Sequence, residues 1–177
     1  MNYLLVFFVI ALVLSPLAWL KTSPAQARAT AFRKRAMALG LKVQLVPDPD
    51  ADKDEKRPSA VRYCLQVPGG PVQFEWTLLR DHRRGWESPW PRWSWFRGQA
   101  TEQEYPAIAD LLDAAPEQVY ALRRDAQGIS AYLKEDGDVA CVEGVSGALQ
   151  AYCASVSGLS SPLRAGGALS ALQKNSP

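Results

Sequence analysis

The chain has 177 residues, 47% of them apolar and 21% charged, and a formal net charge of +2. These values lie within normal globular bounds and leave room for one core beside a short accessory segment, not for two cores. So small a net charge supplies no field for phosphate, and no nucleic-acid partner is expected.

The first element reads as a membrane span. Residues 1–20 carry no charged side chain, and 3–20 is apolar apart from Ser15 and Pro16. A helix of that length rises about 27 Å, close to the ~30 Å hydrocarbon core of a bilayer, and Trp19 falls where an interfacial aromatic is expected. A cleaved signal peptide is the competing reading, with Ala25-Gln26-Ala27 as its cleavage site. Against it, no Lys or Arg precedes the run, the run exceeds an h-region of about 7–15 residues, and Lys21 precedes the cleavage site. The expectation is therefore a transmembrane anchor over 1–20. Lys21, Arg28, Arg33, Lys34, Arg35 and Lys42 follow it, and the first acidic residue is Asp48. The positive-inside bias then puts the N-terminus outside and the C-terminal domain in the cytoplasm, a single-pass inner-membrane protein if the source is bacterial.

Residues 21–40 form a basic juxtamembrane helix in this reading. Ala25, Ala29, Phe32, Ala36 and Leu39 recur at four- and three-residue steps, and Gly40 would end the helix. Lys21, Arg28, Arg33, Lys34 and Arg35 could meet anionic head groups, each near-surface cation contributing about 1 kcal/mol. Alternatively, the small apolar stripe packs on the domain and the basic residues serve topology alone.

The domain itself is expected over 41–157. Residues 41–46 alternate as a half-buried strand and lead into an acidic linker at 48–58. Its D-x-D-x-D rhythm fails as a calcium loop, because Lys53 replaces the required Gly and Ser59 the terminal Glu. Val61, Tyr63, Leu65 and Val67 then alternate with polar residues, Pro68-Gly69-Gly70-Pro71 reverses the chain, and Val72, Phe74, Trp76 and Leu78 continue the alternation. Two period-2 runs across a Pro/Gly turn predict a β-hairpin with one apolar face. A short helix is predicted over 105–114, stopping before Pro116. A second hairpin follows over 119–134, turning at Asp125-Ala126-Gln127-Gly128. Asp138 can cap a last helix whose seam is Val142, Val145, Leu149, Tyr152 and Val156. Gly, Ser, Ala and Pro accumulate in 158–177, which reads as a loose tail.

The resulting fold class is α+β: an N-terminal transmembrane helix, then an antiparallel sheet of five or six strands with a C-terminal helix packed on one face. A pleckstrin-homology-like closed sandwich is a variant of it. Cys64, Cys141 and Cys153 make an odd count with no C-x-x-C pair, which suits reduced, buried thiols.

One segment stands out. Residues 83–98 hold four of the six tryptophans, interleaved with Arg83, Arg84, Arg92 and Arg97. Tryptophan and arginine are enriched at interfaces, so Trp86, Trp90, Arg92, Trp93, Trp95 and Arg97 are candidate partner-binding residues, with a membrane protein as the partner. Insertion into a bilayer interface is a further reading. In the competing reading Trp93 and Trp95, two apart, fill the core while Trp86 and Trp90 cover its edge. No catalytic, cofactor, metal or small-molecule constellation is recognisable. The single histidine, His82, has no evident partner in Cys64, and Pro68-Gly69-Gly70-Pro71 lacks the lysine and following helix of a phosphate loop.

PLAWL, the Arg-rich helix ending in ALGLKVQL, the W-x-W of WSWF and VYALRRDAQGISAYLKEDG together resemble a group of uncharacterised single-pass inner-membrane proteins of gammaproteobacteria. Some are described as similar to YajC, the small accessory subunit of the preprotein translocase. The likeness is one of layout: the present domain is longer, YajC lacks the Trp-rich segment, and no functional residue carries over. The expected function is that of a membrane-tethered, non-enzymatic accessory subunit docking through the Trp/Arg segment, or, alternatively, of an anionic-lipid-binding surface module.

Overall fold

The structure, a computed structural model, describes residues 23–49, 59–67, 75–81 and 84–159, together with Tyr3, Val6 and Phe7. Helix α1 (Pro24–Ala38) starts where local chemistry dictates. Ser23 caps it, its hydroxyl accepting from the Gln26 N–H while the Gln26 side chain accepts from the Ser23 N–H, and Pro24 occupies the first turn. Gly40, at φ +80°, turns the chain into strand β1 (Lys42–Pro47). Then come β2 (Ser59–Gln66), β3 (Trp76–Arg80), β4 (Trp86–Glu87) and β5 (Trp93–Arg97). A 3₁₀ turn (Glu102–Glu104) leads into α2 (Tyr105–Ala114), followed by β6 (Val119–Asp125), β7 (Gly128–Leu133) and α3 (Cys141–Leu159). Asp138 lies in the turn that enters α3, where its carboxylate accepts from the Ala140 N–H at 3.0 Å.

The strands make one antiparallel sheet in the order β1-β2-β7-β6-β3-β5-β4, with β1 and β4 as edges. The expected fold is thereby corrected. The sheet has seven strands, not five or six, because the Trp-rich segment contributes two more, and it is open at both edges instead of a closed sandwich. Among the described residues no helix is long and apolar enough to cross a membrane. The run expected to span one, 1–20, lies outside the described residues apart from Tyr3, Val6 and Phe7, as do most of the 48–58 linker and the tail from 160.

The first hairpin is also corrected. Its two strands exist, yet β2 pairs with β1 and β7 while β3 pairs with β5 and β6. The later β6–β7 hairpin inserts between them. Alternation determines which face a side chain joins, not which strand lies beside it. The β6–β7 hairpin itself forms as expected. Gly128, at φ +136°, is needed beyond its turn: a Cβ there would sit 2.1 Å from the Leu65 carbonyl oxygen of β2.

All three helices cover one face. Phe32 and Ala36 of α1, Ile108, Leu111 and Leu112 of α2, and the α3 seam Val142, Val145, Leu149, Tyr152 and Val156 pack on Tyr63, Trp76, Leu78, Trp95, Leu122, Ile129 and Ala131. The opposite face is buried by other means. Ala60, Leu79, Ala121 and Tyr132 form a small cluster there. Beside it the Arg62 guanidinium, 7% exposed, donates to Asp125 at 2.7 Å and to the Ser130 hydroxyl at 2.8 Å.

Candidate docking site

The Trp-rich segment joins the end of β3 to β5, and its base is locked. Asp81 and Arg92 both take positive φ (55° and 69°), the Asp81 N–H donates to the Arg92 carbonyl at 2.6 Å, and the Arg92 guanidinium grips the Asp81 carboxylate at 2.6 and 2.9 Å. That guanidinium holds the Asp81 carboxyl below its ordinary value, while Arg92 itself is raised by the same bond. Further in, the Ser88 hydroxyl lies 2.6 Å from the Trp93 carbonyl and 3.1 Å from that of Trp90, closing the β4–β5 turn. Gly85 lets β4 approach at all. A Cβ there, at φ +93°, would stand 1.9 Å from the Trp95 carbonyl oxygen.

This scaffold separates the tryptophans by depth. Trp93 and Trp95 point into the core, as two residues of equal parity on one strand must. Trp95 meets Trp76 edge-to-face at 6.0 Å, and Trp90, half-buried, meets Trp95 at 5.6 Å and Tyr105 at 5.2 Å. Arg80 stacks its guanidinium 4.7 Å above Trp93 while donating to the Ala115 and Pro116 carbonyls just past the end of α2. Burial there lowers the Arg80 pKa.

Trp86 is different. It pairs with Trp95 across β4–β5, so it lies on the helix-covered face, but at the outermost strand, where it remains 46% exposed. Arg97 and Glu87 are exposed as well, and Arg92 is exposed but engaged by Asp81. Of the six residues expected to bind a partner, Trp93 and Trp95 are core, Trp90 is a bridge between core and surface, Arg92 is held by Asp81, and Trp86 and Arg97 are presented outward. His82 lies outside the described residues, and Cys64 is buried.

The basic helix also divides. Lys21 lies outside the described residues, Arg28 and Lys34 are exposed, and Arg33 and Arg35 are committed to ion pairs. Arg33 holds Glu135 through two bonds of 2.9 and 3.0 Å, Glu135 also accepts from the Tyr63 hydroxyl at 2.6 Å, and Arg35 pairs with Glu143 of α3. Burial and the Glu135 bond push the Tyr63 hydroxyl pKa upward. These contacts dock α1 on the domain and pair two of its four described cations with carboxylates.

Neither Asp81 as the clamp of Arg92 nor the Arg62–Asp125–Ser130 network was anticipated. Their partners are 11, 63 and 68 residues apart, beyond any local signal. In the network every named donor has an acceptor inside the protein, and Arg123 adds a 3.1 Å contact to Asp125. It is a structural clamp on the sheet. Comparison with known protein families, curated proteins and solved structures finds no match to this chain.

Proposed function

We propose that the domain is a non-enzymatic interaction module, an accessory subunit that docks a protein partner at the β4 edge with Trp86 as its anchor. The observation that supports this is the contrast within one segment: Trp93 and Trp95 are consumed by the core, whereas Trp86 stands exposed on a backbone clamped by Asp81–Arg92 and Ser88. Such preorganisation lowers the ordering cost of binding, and tryptophan is enriched at interface hot spots.

The test is Trp86→Ala in the full-length protein, with co-purifying proteins identified by mass spectrometry in mild detergent, so that a membrane-embedded partner is retained. Loss of a hot-spot tryptophan weakens binding by about 2 kcal/mol or more, roughly thirtyfold. An unchanged partner set with an unchanged thermal midpoint removes the proposal.

A further inference from the structure

The three helices are held to the sheet very unequally. α2 buries Ala107, Ile108, Leu111 and Leu112 among its ten residues, and α3 buries its whole seam. α1 buries only Phe32 and Ala36 among fifteen, and over 24–31 no side chain is buried at all. Charge supplies what the apolar contact lacks. Among the described residues the side-chain bonds from α1 to the domain come from Arg33 and Arg35 alone, which reach Glu135 and Glu143.

Breaking those bonds strands no polar group. Arg33, Arg35 and Glu143 are each about half exposed and rehydrate, and Glu135, the buried partner, keeps the Tyr63 hydroxyl at 2.6 Å. The link to β1 can also absorb motion. Gly40 sits at φ +80°, and a Cβ there would meet no atom within 4 Å; beyond it Leu41 is buried and β1 pairs with β2 along its six residues.

We infer that α1 is a detachable strap. It swings off the helix-covered face about Gly40 while the sheet, α2 and α3 stay folded, and its latch is the pair of ionic bonds to Glu135 and Glu143, so salt opens it. Segments with few buried apolar contacts open locally at a fraction of the global free energy, and part-exposed ion pairs weaken as salt screens them. The contact is self-masking: residues 24–38 carry Arg28, Arg33, Lys34 and Arg35 and no acid, so the docked helix has two of these cations occupied and the open helix has none.

Native-state hydrogen exchange of the full-length protein tests this. The amides from Phe32 to Ala38 exchange as one group, with protection about tenfold or more below that of α3 and a shallower dependence on urea, because the opening exposes little surface. Raising salt to about 1 M, where the screening length is ~3 Å, lowers α1 protection further. Glu135→Gln with Glu143→Gln lowers it about threefold to tenfold and removes the response to salt. Protection of α1 equal to that of α3, or with the same urea slope, makes the helix part of the global unit and overturns the inference. So does protection that climbs smoothly from Pro24 to the α3 level at Ala36, which is fraying of the helix end. Indifference of α1 to both salt and the double variant overturns the ionic latch.

Discussion

The two faces of one sheet are closed by opposite chemistries. Under the helices lie mainly aromatic and aliphatic side chains, whose apolar burial is non-directional, so the face accommodates contacts such as the tilted Trp95–Tyr105 pair. On the other face Arg62 and Asp125 expose less than a tenth of their surface, and each is held by a particular atom of a particular strand. The difference teaches that apolar burial supplies most of the stability, while the ionic clamp ties β2, β6 and β7 in a single register.

The largest expected effect breaks that clamp. Asp125→Ala leaves the Arg62 charge buried without its acid and costs about 3–5 kcal/mol, to be read from the urea midpoint. Arg62→Met with Asp125→Leu sharpens the comparison: removing both charges restores most of the loss if the pair serves register more than stability. A double variant as unstable as Asp125→Ala means that the ion pair itself stabilises the fold.

A smaller effect belongs to the polar rim of the helix-covered face. Tyr63→Phe removes the bond to Glu135 but leaves Arg33 to satisfy that carboxylate, so the cost is about 1 kcal/mol, and thermal unfolding measures it. A loss as large as that of Asp125→Ala erases the distinction between the two faces.

The smallest effect is at the surface and depends on pH. The Asp81 carboxyl has its pKa depressed in the folded protein by Arg92. The clamp therefore contributes at neutral pH and is lost as pH falls through that lowered value, below the ordinary carboxylate range. An NMR titration of the Asp81 and Arg92 signals follows the release, and in Asp81→Asn the Arg92 signals no longer respond over that range. Signals of β6 and β7 stay fixed through the same range if the clamp acts on the loop alone.

Much of this architecture is legible in local signals. The small apolar stripe of α1 packs on the core although the helix starts at Pro24 and not at 21, Pro116 follows the end of α2, and the α3 seam is buried throughout. What was hidden is non-local. Alternation placed Tyr63 and Trp76 on the same face, but nothing in 61–78 announces that β6 and β7 will pass between their strands. Arg62 sits on the polar side of an alternating run, where an exposed guanidinium is the usual outcome; only the fold brings Asp125 to it. The candidate site was legible as a segment and not as a depth order, since W-x-W parity buries Trp93 and Trp95 whereas the exposure of Trp86 follows from its place on an edge strand.

That depth order has an optical consequence. Indole emission moves to shorter wavelength as its surroundings lose polarity, and Trp76 and Trp95 are fully enclosed with indole N–H groups that meet no acceptor. Trp86 alone among the five described tryptophans emits from an exposed position. Among the described tryptophans, occupation of the β4 edge would therefore shift the red side of the emission, whereas unfolding shifts the blue side.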